Sequence, residues 1–313
     1  MSRDQLRCRI GGAITALVTP FHKGEVDYGA FSALVDWQVE QGINGLVPCG
    51  TTGESPTLGW NERIGLIRCC VERSAGRIPV IAGTGTNNTD STVAFTEAAR
   101  AFGADAALVV VPYYNRPSQA GIVRHFETLA AKVDIPLIVY NVPSRAGVDL
   151  MPATMARLAE IRTVIGIKDA TGDLSRPMAL PRFLGRVGAA QGDTARLQDA
   201  SGDSFLQLSG HDATAFGFNT MGGCGTISVV ANVVPRLVVE MHDALRRGDI
   251  HTARAVNQRL RPLVSALDRE SNPAPIKHAL LLSRGMSPDL RLPLVPVEPE
   301  TAAAIADALQ YVA

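Results

Sequence analysis

Lysine is scarce in this sequence. Of its 30 basic residues only Lys23, Lys132, Lys168 and Lys277 are lysines, and arginine carries the remaining positive charge. Each of the four therefore asks for a reason beyond solubility. Cysteine is sparse as well: Cys8, Cys49, Cys69, Cys70 and Cys224 form no CxxC pair and no metal-ligand spacing, and their odd number does not make a disulfide framework. A reducing, cytoplasmic setting is the expectation. A charge excess is missing too, since 30 basic residues meet 30 acidic ones. That speaks against nucleic acid or an anionic membrane as partner, because either needs basic charge gathered on one face. No apolar run approaches the ~20 residues of a membrane span. Arg3, Arg7 and Arg9 ahead of Ile10 imitate a signal peptide, but Gly11 and Gly12 interrupt the apolar stretch. The six histidines (His22, His125, His211, His242, His251 and His278) form no close cluster, so no metal site is expected. Small-molecule chemistry is the class that remains.

What the chain does have is a regular alternation. Short apolar, β-branched runs stand at 13–18, 45–49, 79–83, 106–111, 136–140, 164–168, 205–209 and 226–230. Segments of helical period lie between them, as at 27–41 behind the possible cap Asp27, and at 60–74, 90–102, 119–132 and 152–160. Strands that are apolar on both faces and separated by helices predict a parallel sheet covered by helices, and eight such units predict an α/β fold, the (β/α)8 TIM barrel. A doubly wound open sheet is the alternative, disfavoured because the first strand lacks a GxGxxG turn. After residue 231 only helical patterns remain, so 1–231 is expected to form the catalytic barrel, and 232–313 the last barrel helix plus a C-terminal helical extension. The stretch 171–204 is the least regular and is expected to hold the sixth helix and a surface excursion.

In a parallel barrel the active site lies where the strands end, so the residues after each strand matter most. Strand two runs into "GTTGES" with Thr51 and Thr52, strand four into "PYYNRPS" with Tyr113 and Tyr114, and strand five ends on Tyr140 and continues to Arg145. Strand six, "VIGIK", ends on Lys168, and strand seven leads to "SGHD". These groups are expected to converge on one mouth. A lysine ending an apolar strand is poorly hydrated, which favours the neutral amine, a nucleophile for carbonyl carbon. The bland reading is a structural lysine paired with Asp169 or another carboxylate. Tyr140 ends the adjacent strand and puts a phenol near the amine, where it can relay the protons that imine chemistry moves, with Thr52 and Tyr114 as hydroxyl partners. Arg145 presents a planar fork suited to a carboxylate.

Taken together, "GTTGES", "PYYNRPSQ", "YNVPSR", "GIKDATGD", "SGHDAT" and "GTISVVAN" resemble, in order and over nearly the whole chain, the dihydrodipicolinate synthase and N-acetylneuraminate lyase superfamily of Schiff-base aldolases. "YNVPSR" resembles its synthase branch. That resemblance implies a lyase of lysine and diaminopimelate biosynthesis, in which Lys168 forms an imine with pyruvate and no external cofactor is used. The derived enamine attacks L-aspartate 4-semialdehyde to give 4-hydroxy-tetrahydrodipicolinate. It further implies a proton relay of Tyr140, Thr52 and Tyr114, with Tyr114 reaching into a neighbouring subunit's site. Thr51 and Thr52 would hold the pyruvate carboxylate, Arg145 the semialdehyde carboxylate, and Gly210 and Ile227 would line the pocket through their backbones. A homotetramer built as a pair of dimers is implied as well. The alternatives are a pyruvate-dependent aldolase or dehydratase for sugar-derived 2-keto acids, and a catalytically silent barrel used for binding. Three departures from the family pattern stand out: His211 replaces an acidic residue, the 171–204 excursion is longer than in most relatives, and Trp60, Arg63 and Ser91 occupy positions where lysine-regulated members carry polar and acidic groups. Weak or absent lysine inhibition is the expectation.

Overall fold

The computed structural model describes residue 6 and residues 9–184 and 205–312. Eight strands form one parallel sheet: β1 (Gly12–Ala16), β2 (Gly45–Val47), β3 (Ile81–Gly83), β4 (Ala106–Val110), β5 (Leu137–Asn141), β6 (Val164–Asp169), β7 (Leu206–Ser209) and β8 (Gly225–Ser228). Their order in the sheet is β2-β1-β8-β7-β6-β5-β4-β3. A bridge from Leu46 of β2 to Val80, the residue before β3, joins the two ends of that order, and the fold is the (β/α)8 barrel. All eight expected strands are present, each within two residues of its predicted start. Their side chains are almost all buried because these strands are covered on both faces, which is why they read as continuous Val, Ile, Leu and Ala rather than as an alternation.

The helices that follow the strands are α1 (Tyr28–Glu40), α2 (Trp60–Ser74), α3 (Thr89–Ala101), α4 (Gln119–Lys132), α5 (Pro152–Ala159), α6 (Arg176–Leu184), α7 (Ala215–Thr220) and α8 (Pro235–Arg246). Local chemistry starts several of them. Asp27 accepts from the Ala30 amide, Asn88 from that of Ser91 and Ser118 from that of Gly121, each satisfying a donor that the first helical turn leaves open. The extension consists of α9 (Ile250–Leu267), α10 (Ala274–Arg284) and α11 (Pro299–Leu309). Three features escaped the periodicity: a small antiparallel ribbon pairing Phe21–His22 with Glu25–Val26, a single helical turn at Pro143–Ala146, and α7. All are too short to establish a period. Of the irregular stretch 171–204, the first part holds α6, and residues 185–204 lie outside the described residues.

The chain forms two compact units. One comprises Ile81–Thr226 and the N-terminal segment up to Gly11; the other comprises Gly12–Val80 and Ile227–Ala313. In the first unit Val109, Val139 and Ile167 pack into a core with Phe126 and Leu129 of α4 and Met155 and Leu158 of α5. In the second, buried amides tie the end of β1 to the segment after β8. The Asn232 side chain donates to Ala16 O and accepts from Val18 N, and Gln38 donates to Ala231 O while accepting from the Thr15 hydroxyl.

Candidate active site

Strand register sets the geometry of the first unit. β5 and β6 run parallel with Tyr140 opposite Lys168 and Asn141 opposite Asp169. Directly opposed residues point to the same face and successive ones to opposite faces, so Tyr140 and Lys168 share one side of the sheet, and Asn141 and Asp169 the other. Both members of the first pair are buried, Lys168 being only 5% exposed. The Lys168 ammonium nitrogen lies 4.2 Å from the centroid of the Tyr140 ring, over its electron-rich face. Gly210, just beyond β7, is hydrogen-bonded through its N–H to Asp169 O at 2.6 Å. A Cβ placed on Gly210 would stand 2.8 Å from Lys168 Cε. The glycine therefore leaves room for the lysine stem.

The opposite face answers the bland reading of the lysine. Asp169 does not pair with Lys168: its carboxylate accepts from the Thr171 hydroxyl and amide and from Arg176 Nε at 2.7 Å. Arg176 also donates to Asp149 and to Leu150 O, and Asn141 donates to Asp149 while accepting from the Leu150 amide. Among the described residues Lys168 has no ion-pair partner. The chain thus spends the neighbouring carboxylate on an arginine and leaves the amine against an aromatic face.

Tyr114 is 88% exposed, in the loop after β4, with a left-handed backbone at φ 68°. A non-glycine residue held there costs on the order of 1–3 kcal/mol, which surrounding contacts must offset. One such contact is the hydrogen bond from the Asn115 side chain to Asn87 O at 2.9 Å. Arg145 is exposed on the single turn Pro143–Ala146. His211 sits half-buried in the loop after β7, with Nδ1 3.4 Å from the Thr214 hydroxyl.

In the second unit the "GTTGES" loop carries Thr51, half-buried, and Thr52, fully buried. The Asn272 side-chain amide, in the turn between α9 and α10, donates to the Thr52 hydroxyl at 2.9 Å. Glu54, two residues on, has a left-handed backbone at φ 54° and a buried carboxylate. That carboxylate accepts from Lys277 Nζ and from the Arg291 amide. Burial lowers the Lys277 pKa from its ordinary value, with Glu54 acting in the opposite direction. Cys49, just ahead of the loop, is no nucleophile: burial pushes its thiol up to about 12, so it stays protonated. Ile227 is buried in β8. Among the described residues, no three His, Cys, Asp or Glu side chains gather closely enough to hold a metal ion, and no helix is long and apolar enough to cross a membrane.

The family model that matches residues 9–312 is described as the dihydrodipicolinate synthetase family. This chain belongs to that family. Over 303 residues it is 46% identical to the 4-hydroxy-tetrahydrodipicolinate synthase of Methylobacterium radiotolerans, covering 97% of this chain and 96% of the relative. A monomeric dihydrodipicolinate synthase variant superposes with a TM-score of 0.90 at 38% identity, covering 98% of each chain. The chloride-inhibited dihydrodipicolinate synthase of Acinetobacter baumannii, solved with pyruvate, gives 0.89 at 40% identity over 97% of this chain and 99% of that one. The chain is accordingly an enzyme of the lyase class.

Within this dihydrodipicolinate synthetase family member, the structure brings Tyr140, Lys168 and Gly210 together in one unit. It holds Thr51 and Thr52 on a braced loop of the other. Sequence reasoning missed Asn272, Glu54, Lys277, Asp149 and Arg176. A signal for one of them was present: the scarcity that singled out Lys168 applies equally to Lys277, which is just as deeply buried and has a carboxylate partner.

Proposed function

We propose that this enzyme condenses pyruvate with L-aspartate 4-semialdehyde to 4-hydroxy-tetrahydrodipicolinate, through an imine on Lys168. The Lys168 amine adds to the keto carbon of pyruvate, and loss of water leaves the imine. The imine gives up a methyl proton to become an enamine, whose carbon attacks the semialdehyde carbonyl. The substrate's own amine then displaces Lys168, closing the ring and freeing the enzyme. In this reading Tyr140, Thr52 and Tyr114 relay the protons, and Thr51 and Thr52 receive the pyruvate carboxylate. Arg145 receives the semialdehyde carboxylate, while Gly210 and Ile227 line the pocket.

One observation carries the reading: a buried lysine at the end of β6, 4.2 Å from the Tyr140 ring and without a carboxylate partner among the described residues. The relatives' name and the pyruvate bound in the Acinetobacter baumannii enzyme support the choice of substrates. The reading needs no external cofactor, since the lysine itself supplies the electron sink. It extends to the cytoplasm and to a homotetramer, and the projecting Tyr114 supports cover by a neighbouring subunit.

The test is borohydride reduction in the presence of pyruvate, followed by peptide mapping. A single adduct on Lys168 is expected; an adduct on Lys23, Lys132 or Lys277, or none, would overturn the mechanism. Substrate choice is tested separately by comparing kcat/KM for L-aspartate 4-semialdehyde with that for sugar-derived 2-keto acids. Arg145 favours the former.

A further inference from the structure

The extension donates three hydrogen bonds to two side chains of the "GTTGES" loop. Asn272 donates to the Thr52 hydroxyl, Lys277 to one Glu54 oxygen, and the Arg291 amide to the other. The anchor behind the last two is extensive. Lys277 also donates to Asp289 O, and Arg291 donates to both Glu62 oxygens, to Thr57 O and to Gly24 O, with both cations over the Phe21 ring. A buried ion pair with this many satisfied bonds has one geometry, so the loop backbone at Glu54 is fixed relative to Asn272.

The contact at Thr52 has a consequence of its own. A threonine hydroxyl has one proton and two lone pairs, whereas an asparagine NH2 group can only donate. Because Asn272 approaches with its nitrogen, it occupies a lone pair of Thr52, and the Thr52 proton must be directed elsewhere. We propose that Asn272, seated by the Glu54–Lys277 anchor, is a positioning residue that sets the donor direction of the Thr52 hydroxyl. The C-terminal extension is thereby part of the catalytic machinery. The inference rests on the role given to Thr52 under the proposed function. A carboxamide is suited to this task because its amide end lacks an acceptor that could capture the hydroxyl proton. An ionised carboxylate at the same place would accept from Thr52 and reverse the direction.

A double-mutant cycle tests this, with turnover and thermal melting measured for Asn272→Ala, Asn272→Asp, Thr52→Val and both double variants. Asn272→Ala is expected to lower kcat ~10-fold or more with a smaller change in the KM for pyruvate, as for a misoriented group. Asn272→Asp, of the same size, is expected to lose at least as much while still melting cooperatively, which keeps the test informative should the alanine variant fold poorly. In the Thr52→Val background neither substitution should lower kcat further. Equal losses in both backgrounds would show that Asn272 acts by some other route and overturn the proposal, as would wild-type kcat in Asn272→Asp. Thr52→Val with undiminished turnover would instead remove the relay role of Thr52 itself, a separate failure.

Discussion

Lys168 owes its surroundings to two neighbouring residues. Tyr140 lies opposite it in register, and Gly210 leaves its stem uncrowded. Replacing Lys168 with alanine removes the proposed nucleophile, and a loss on the order of 10³-fold or more in kcat is expected, read in a coupled rate assay. Tyr140→Phe keeps the ring under the amine and deletes the hydroxyl, so it should cost ~10²–10⁴-fold while leaving borohydride labelling detectable. Equal activity in that variant would remove the phenol from the relay. Gly210→Ala pushes a methyl against Lys168 Cε at 2.8 Å; overpacking of this kind costs ~1–3 kcal/mol, visible as a lowered melting temperature with reduced turnover. At this scale the sequence was informative where a residue type was out of place, as lysine is at the end of an apolar strand. Asp169 shows the limit: as the neighbour of Lys168 it looked like its partner, but alternation along β6 turns it to the other face, where Arg176 takes it.

Elements carry the stability. The "GTTGES" loop keeps Glu54 in a left-handed conformation through the buried pair with Lys277, and breaking such a pair leaves one charge uncompensated. Lys277→Met is expected to destabilise the fold by ~3–5 kcal/mol, and Glu54→Gln with Lys277→Met by clearly less, as measured by urea unfolding. Two helices make stability depend on pH. His125 of α4 and His242 of α8 are buried, and desolvation lowers each from 6.5 to about 4. The unfolded chain therefore binds more protons than the folded one between those values, so stability is fully present above about 6.5 and falls as pH drops toward 4, by on the order of 3 kcal/mol per histidine. A lower urea midpoint at pH 5 than at pH 7.5 is expected; a higher one would contradict it. The helices and strands were legible because their periods persist over several residues and their caps, such as Asp27 and Asn88, are local. The ribbon at Phe21–Val26 and the turn at Pro143–Ala146 were not, since neither is long enough for its period to repeat.

For the whole molecule, Tyr114 is the exposed end of the proposed relay, and a neighbouring subunit is the expected cover. Light scattering should give a mass above that of one chain, and Tyr114→Phe should lower turnover without lowering the melting temperature. A fully active monomer would contradict both. Lysine inhibition is expected to be weak or absent because the family resemblance puts Arg63 where lysine-regulated members carry polar and acidic groups; inhibition at low lysine concentration in a rate assay would reverse that. The sequence by itself determined the barrel, through eight apolar runs interleaved with amphipathic segments, and singled out Lys168 as the proposed nucleophile, through a scarce residue type placed at the end of an apolar strand. Only the tertiary structure decided which charges meet, because pairs such as Glu54 with Lys277 and the contact of Asn272 with Thr52 join residues more than two hundred positions apart. Periodicity is a local property of the chain, whereas the partner of a buried polar group is chosen by packing.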